Sequence, residues 1–424
     1  MTDTAKLSES TIQKNATETA SVSKSSIPSS SDMQYYYQFL FPFNTIFSWL
    51  NHGDKPGRDI ENREFAMAFR SGAYKRYNSF SSVQEFKTQI ERANPDRFEI
   101  GAIYNKPPKN RDTILNSDMK PLEKELVFDI DMDDYDTYRT CCNGAQVCDR
   151  CWRFIKLAMI VMEVTLKEDF GFNSFIWVFS GRRGAHCWVS DKRARLLNDQ
   201  QRRSILDYVN VVKDRSAEKR LLLRRPYHPH LLRSLNLLKP YFVEIILEEQ
   251  NCWEDDTHAF ETLLPCLHDK QLIESLTKYW KENPNRSSKD KWSDIDSITR
   301  KLTTSFKSAR KQDFINRVRD SKEDIILQTL YPKLDIEVTK QTIHLLKSPF
   351  CIHPATGNVC VPITDSFTPE LAPKLINIQH EMEDNGNNID KTSLKPYIDI
   401  FSEYVNELMA SEENNSLKRE REED

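Results

Sequence analysis

No stretch of this chain carries the ~20 consecutive apolar residues that a membrane span needs. Its first residues also lack the hydrophobic segment of a secretory signal. The expectation is a soluble, intracellular protein. Positive charge is not in excess either: 60 Lys and Arg face 64 Asp and Glu, for a formal charge of −4. No overall field therefore draws the chain to nucleic acid, and such binding would have to rest on local basic patches. Aromatic residues are absent from 1–32, which Ser, Thr and Lys dominate. A segment with so little to bury is expected to be a disordered tail. Glycine is absent from 192–330, where charge rises and periodic segments at 199–213, 236–250, 258–281 and 291–329 predict a mainly helical region. Internal repeats are absent as well.

What is present supports a folded protein. Hydrophobic residues make up 38% of the chain, with 22 Phe, 15 Tyr and 7 Trp. At roughly 100–200 residues per domain, this length allows two or three units. Nine cysteines are an odd number, and four of them fall within 141–151. That pattern favours a metal site in a reducing compartment over a disulfide framework. The other five, Cys187, Cys252, Cys266, Cys351 and Cys360, read as core residues.

Order is expected to begin at Tyr35. Over 35–50 the spacing of Phe39, Leu40, Phe43, Ile46, Phe47, Trp49 and Leu50 predicts an amphipathic helix, interrupted near its start by Pro42. Residues 62–80 read as a strand pair, 83–93 as a short helix, 100–104 as a strand and 106–111 as a basic loop. A helix over 152–170 is stopped by Gly171. Strands at 175–179 and 185–189 flank Ser180-Gly181-Arg182-Arg183-Gly184. Residues 334–338 restore a strand, and a final helix is expected over 392–410. The fold class is α/β (α+β) with a discontinuous core. Its first part is 33–191, a helical subdomain spans 192–330, and the second part with the C-terminal helix covers 331–410. Residues 411–424 are expected to be a charged, disordered tail.

The chemistry concentrates in Leu126-Val127-Phe128-Asp129-Ile130-Asp131-Met132. It reads as a buried strand, and alternation puts Asp129 and Asp131 on the same side. Carboxylates so placed repel each other unless a proton or cation intervenes, and buried Asp is rare unless paired or metal-bound. Asp133, Asp134 and Asp136 suit an exposed acidic turn instead. Asp335 sits in a second Leu-Asp-Ile context. As a third ligand it would complete a site for two divalent ions, the usual equipment of nucleotidyl transfer. Cys148 and Cys151 have the spacing that presents two sulfurs to one ion. With Cys141 and Cys142 they supply the four soft ligands of a closed, structural zinc site. Unrelated buried thiols with a fortuitous Cys-x-x-Cys are the plainer alternative.

Glycines flank Arg182 and Arg183, so the backbone can approach a ligand while the guanidinium groups bind phosphate oxygens. His186 could reach the same phosphates; a solvated hairpin tip is the plainer reading. Lys347 and His353 are candidates for phosphate or sugar contacts, and read equally well as a surface lysine and a core histidine.

In this order the elements resemble the catalytic small subunit of eukaryotic and archaeal DNA primase, most closely its fungal form. The matching residues are Glu-Leu-Val-Phe-Asp-Ile-Asp-Met-Asp at 125–133, Cys-Cys with Cys-x-x-Cys-Trp at 141–152, Ser-Gly-Arg-Arg-Gly-Ala-His-Cys-Trp-Val at 180–189 and Leu-Asp-Ile-Glu-Val-Thr with His-Leu-Leu-Lys-Ser-Pro-Phe at 334–350. The fungal likeness rests on Arg-Glu-Phe-Ala-Met-Ala-Phe-Arg at 63–70 and His-Pro-Ala-Thr-Gly-Asn-Val-Cys-Val-Pro at 353–362. The resemblance implies a mixed-sheet primase-type catalytic core with an inserted helical subdomain and a structural zinc site. It implies Asp129, Asp131 and Asp335 as catalytic acids holding Mg2+ or Mn2+, with Glu64 as a further active-site acid and Arg76 as a basic contact. It implies Ser180, Arg182, Arg183 and His186 as triphosphate ligands, completed by His344, Lys347 and His353, and Cys141, Cys142, Cys148 and Cys151 as zinc ligands. The implied activity is synthesis of short RNA primers on single-stranded DNA from ribonucleoside triphosphates. The implied partners are the iron–sulfur-containing large primase subunit and the DNA polymerase alpha complex, in the nucleus. A two-metal nuclease and a non-catalytic zinc-dependent nucleic-acid-binding module remain as alternatives.

Overall fold

Apolar spacing on either side of Pro42 produces two helices, α1 (Ser30–Phe39) and α2 (Phe43–Asn51), in a computed structural model that describes residues 27–423 apart from 54, 213–220 and 222. Proline cannot continue α1, having no N–H and a fixed φ, and it stands instead at the N-cap of α2. Order begins earlier than Tyr35 because Ser29 and Asp32 form a reciprocal capping box, with N–H···O distances of 3.1 and 2.7 Å. Residues 1–26 of the expected tail lie outside the described residues. The buried Tyr36 and Tyr37 anchor α1, their hydroxyls donating to the carbonyls of Phe350 at 2.7 Å and Pro95 at 3.0 Å.

Two antiparallel sheets follow. The first contains β1 (Arg63–Ala68), β2 (Tyr74–Asn78), β3 (Arg97–Tyr104) and β4 (Pro121–Glu123) in the order β2-β1-β3-β4. Helix α3 (Val83–Ala93) packs Phe86 against Phe43, Phe65, Phe80 and Phe98 on one face of that sheet. The second contains β5 (Leu126–Asp131), β6 (Phe175–Phe179) and β7 (Gly184–Val189) in the order β5-β7-β6. Every residue of the central β7 is buried, as a strand covered on both faces must be. The short β8 (Leu346–Lys347) returns the chain to the first sheet by pairing with β3. The expected α/β core is present, and among the described residues its strand pairs are all antiparallel.

Helix α4 (Asp149–Glu168) starts three residues before the expected 152, with Cys148 at its N-cap, and Gly171 at φ +65° lies just past its end. Among the described residues, 192–330 holds helices and no strand. Helix Pro229–Phe242 runs directly into a π-turn, Val243–Glu249. The periodicity read across 258–281 divides at the short 3-10 turn Leu264–Cys266, which contains Pro265. No described helix is long and apolar enough to cross a membrane.

Two expectations are corrected in the second part. Residues 334–338 do not form a strand: α5 (Ile336–Lys340) begins there, capped by Asp335, whose carboxylate accepts the N–H of Glu337 at 2.9 Å. A short cap overrides an alternating pattern because it satisfies an orphan N–H locally. The segment still covers the outer edge of β5, with the Asp335 N–H on the Asp129 carbonyl at 3.0 Å and the Thr339 hydroxyl on the Val127 carbonyl at 2.6 Å. Nor do residues 411–423 form a loose tail, because they continue helix α6 (Lys395–Glu423). Glu412 pairs with the buried Arg195 at 2.8 Å.

One buried ion pair joins the two sheets. Arg63, first in β1, grips Glu125, the residue before β5, through two bonds of 2.7 and 2.9 Å, and both side chains are 0% exposed. His52 bridges Glu125 and Asp59 at 3.1 Å each. Burial raises the Glu125 carboxyl, but the charges of Arg63 and His52 outweigh it and hold it well below the usual range. Asp59 is balanced the same way, ending at about 2. Arg63→Met should destabilise the protein by about 3–5 kcal/mol in denaturant unfolding, and the double replacement with Glu125→Met should recover most of the loss. Asp59→Asn should lower the melting temperature at pH 7. Because the native carboxyl titrates near 2 rather than 3.8, its contribution is full above 3.8 and fades toward 2. The difference between native and variant should therefore close over that window.

Candidate active site

Strand β5 presents Asp129 and Asp131 on one side, with Phe128 and Ile130 buried on the other. Asp335 joins them because its backbone N–H is bound to Asp129. Burial, with repulsion from Asp131 and Asp335, pushes Asp129 up to about 7, while Lys347 pulls the other way. Asp131 is also raised, by burial and by Asp133, against the opposing charge of Arg183. Three carboxylates on one edge, one of them pushed up to about 7, are the donor type a divalent cation takes. Among the described residues, however, the cluster whose ligand atoms all lie within 4.8 Å of one another is the four cysteines and not these aspartates.

The cationic side comes from the β6–β7 hairpin. In register, His186 faces Asp129 and Gly184 faces Asp131 across the β5–β7 ladder. The tip closes through the Ser180 N–H to the Gly184 carbonyl at 2.9 Å, and the Gly184 N–H to the Ser180 hydroxyl at 3.0 Å. Gly181 has φ +87°, and a Cβ there would stand 2.6 Å from the Cβ of His353. At Gly184 a Cβ would meet the Ile130 carbonyl at 2.4 Å, so both glycines are required. Arg183 Nε contacts Asp131 at 2.6 Å, and its terminal nitrogen pairs with Asp133. Arg182 is exposed.

Pairing of β8 with β3 places Lys347 opposite Glu99, from where its Nζ reaches across to the Ser180 carbonyl. Its charge is felt by Asp129, His186 and His353 together. His186 Nε2 lies 3.6 Å from Asp129, yet burial and Lys347 press the ring down to about 3. His353 falls to about 4 by burial, Lys347 and Arg182. Both imidazoles are therefore neutral hydrogen-bonding groups at neutral pH, and the fixed positive charge comes from Arg182, Arg183 and Lys347. Half-buried His344 is also lowered, by burial and by Lys124, whose Nζ binds its carbonyl.

Glu64 and Arg76 form a separate unit on β1 and β2. The guanidinium holds the buried carboxylate at 2.8 and 3.1 Å. The Tyr104 hydroxyl adds a third bond at 3.0 Å, and the Tyr77 N–H, at φ +61°, a fourth at 3.3 Å. The hydrogen bond that Arg76 donates to Glu64 raises the Arg76 pKa. Among the described residues no ion pair links this unit to the three aspartates.

Cys141, Cys142, Cys148 and Cys151 converge with their sulfurs all within 4.8 Å of one another, a four-sulfur donor set of the kind zinc takes. Cys148 Sγ is 3.6 Å from Cys141 Sγ and 3.9 Å from Cys151 Sγ. Burial raises the Cys148 thiol, but the Cys151 N–H and the neighbouring thiols outweigh it and bring it to about 7. The remaining five cysteines are buried, in keeping with a core role.

Sequence reading did not single out Tyr104, Thr356 or Asn358. The last two hold the hairpin tip by donating to the Gly181 carbonyl at 2.6 and 3.0 Å. Asp133, read as a bystander, shares Arg183 with Asp131. Local sequence carries no signal for such contacts, because Thr356 meets Gly181 across 175 positions.

Comparison with known proteins gives the family. Residues 128–365, more than half of the chain, match the family model described as DNA primase small subunit. The DNA primase small subunit of Saccharomyces cerevisiae is 68% identical over 401 residues, covering 95% of this chain and 97% of that protein. That of Schizosaccharomyces pombe is 42% identical over 426 residues, covering 92% of each. That of Drosophila melanogaster is 37% identical over 410 residues, covering 90% of this chain and 92% of that protein. The chain belongs to the DNA primase small-subunit family.

Proposed function

We propose that the chain synthesises short RNA primers on single-stranded DNA from ribonucleoside triphosphates, by nucleotidyl transfer at Asp129, Asp131 and Asp335. The observation that supports this most is the opposition of three crowded carboxylates to a cationic hairpin, with the raised pKa of Asp129 at its centre. Two ions, Mg2+ or Mn2+, held by these carboxylates would lower the pKa of the attacking 3′-hydroxyl and neutralise charge on the departing pyrophosphate. Arg182, Arg183 and Lys347 would hold the triphosphate by charge-assisted bonds, and Ser180 would add a hydroxyl. Neutral His186 and His353 would donate hydrogen bonds without adding charge. Glu64, fixed by Arg76 and Tyr104, would act as the further acid of the site. The first step joins two free nucleotides, so positioning by protein and template carries much of the barrier reduction.

The four cysteines are proposed to hold a structural Zn2+. A large primase subunit is proposed as the stable partner, since the relatives are named as small subunits. The DNA polymerase alpha complex and a nuclear location are proposed on the resemblance alone.

Asp129→Ala should reduce primer synthesis on a single-stranded template by at least about a hundredfold, with Mg2+ or Mn2+ supplied. Shortened template strands without new RNA would instead indicate a nuclease. Unchanged function in Asp129→Ala, with loss on cysteine substitution, would indicate a non-catalytic zinc module. Lys347→Ala should raise the KM for nucleotide about 10- to 100-fold, the loss of one charge-assisted contact, as read from initial rates of dinucleotide formation.

A further inference from the structure

Gln250 is where the helical region meets the cysteine site, and nothing in the chemistry above uses it. The residue is 2% exposed and directly follows the π-turn Val243–Glu249. Pro240 lies inside the preceding helix, Pro229–Phe242, where it removes one ladder bond and crowds the carbonyl four residues back. Beyond it the ladder re-forms at five-residue spacing, with the Gln250 N–H on the Ile245 carbonyl at 2.9 Å. The widened turn aims the Gln250 side chain at residues 140 and 141.

Both ends of that amide are engaged. Its Oε1 accepts the N–H of Thr140 at 2.8 Å and of Cys141 at 3.3 Å. Two backbone donors settle which end carries the oxygen, so Nε2 faces sulfur and donates to Cys141 Sγ at 3.5 Å. The Thr140 hydroxyl returns a bond to the Gln250 carbonyl. Two residues past Cys151, Arg153 pairs with Glu244 at 2.8 Å and Glu249 at 2.5 Å. The same turn thus grips both ends of the cysteine loop.

We propose that Gln250 is a positioning residue for the cysteine-bound ion: its N–H takes up charge on the Cys141 thiolate, and the π-turn serves to aim it there. The inference rests on reading the four cysteines as zinc ligands. Four thiolates around one Zn2+ leave net negative charge on sulfur, and a buried N–H donor relieves part of it. Loss of such an outer partner costs about 10- to 100-fold in metal affinity.

Two variants of the full chain separate this role from plain loop-holding. Gln250→Glu keeps an oxygen for the Thr140 and Cys141 N–H groups but sets an anion against the thiolate; Gln250→Leu removes both functions. Zinc release to a chromogenic chelator at pH 8, and the thiolate-to-cobalt charge-transfer band of the Co2+-substituted protein, provide the readouts. Gln250→Glu should release zinc at least about tenfold faster than native, with a shifted band and a melting temperature close to native. Gln250→Leu should lose zinc and stability together. Native release and an unmoved band in Gln250→Glu would overturn the proposal, leaving Gln250 as a clasp for the loop. A native chain without stoichiometric zinc would overturn it through its premise, the cysteines.

Discussion

The Arg63–Glu125 pair is the contact on which the rest of the architecture depends. Each partner is fully withdrawn from water, so neither is tolerable without the other. Arg63 opens β1 and is followed by Glu64, while Glu125 leads into β5 and its two aspartates. Locking these two residues sets one sheet against the other and places both groups of acids in a defined relation. The helical region is tied to the same point: Arg202 donates to the carbonyls of Lys124 and Glu125 at 2.5 and 3.2 Å. Hydrophobic burial alone is non-directional and would not choose this arrangement over a slipped one.

Around that fixed joint the site is built from conflict. Asp129, Asp131 and Asp335 crowd like charges at a half-buried edge, and Asp134 beside them is pushed up to about 6 by burial and Asp133. Across from them Lys347 is placed by a different sheet, and burial strips His186 and His353 of charge. Local rules are broken on both sides, which is the expected mark of a site that receives charged ligands. The cysteine loop follows a different logic, since Gln250, Thr140 and Arg153 tie it to the adjoining turn by hydrogen bonds and ion pairs.

Much of this was legible in the chain. Alternation located β5, and glycines flanking two arginines located the hairpin, because both patterns follow from period-two geometry and from positive φ. Cysteine spacing located a four-sulfur cluster. Alternation failed at 334–338, where Leu-Asp-Ile-Glu-Val has strand periodicity yet Asp335 caps a helix. A capping bond spans two residues and competes directly with the pattern on which strand reading relies. The C-terminal charge run was read as a tail and continues a helix, since alternating charge is compatible with either state.

The sequence by itself determined which residues have the chemistry: paired carboxylates, a guanidinium-bearing turn and four clustered thiols. These signals are carried by residue type at short spacing, within one strand or one turn. Tertiary structure decided which of them act together. It brought Asp335 beside Asp129 from 206 positions away, by a single backbone bond of 3.0 Å. It set Lys347 against the hairpin and left Glu64 with Arg76 in a unit of its own. It also made two candidate phosphate contacts, His186 and His353, neutral groups. Desolvation and long-range pairing depend on what the rest of the chain packs around a residue, and no local pattern encodes that.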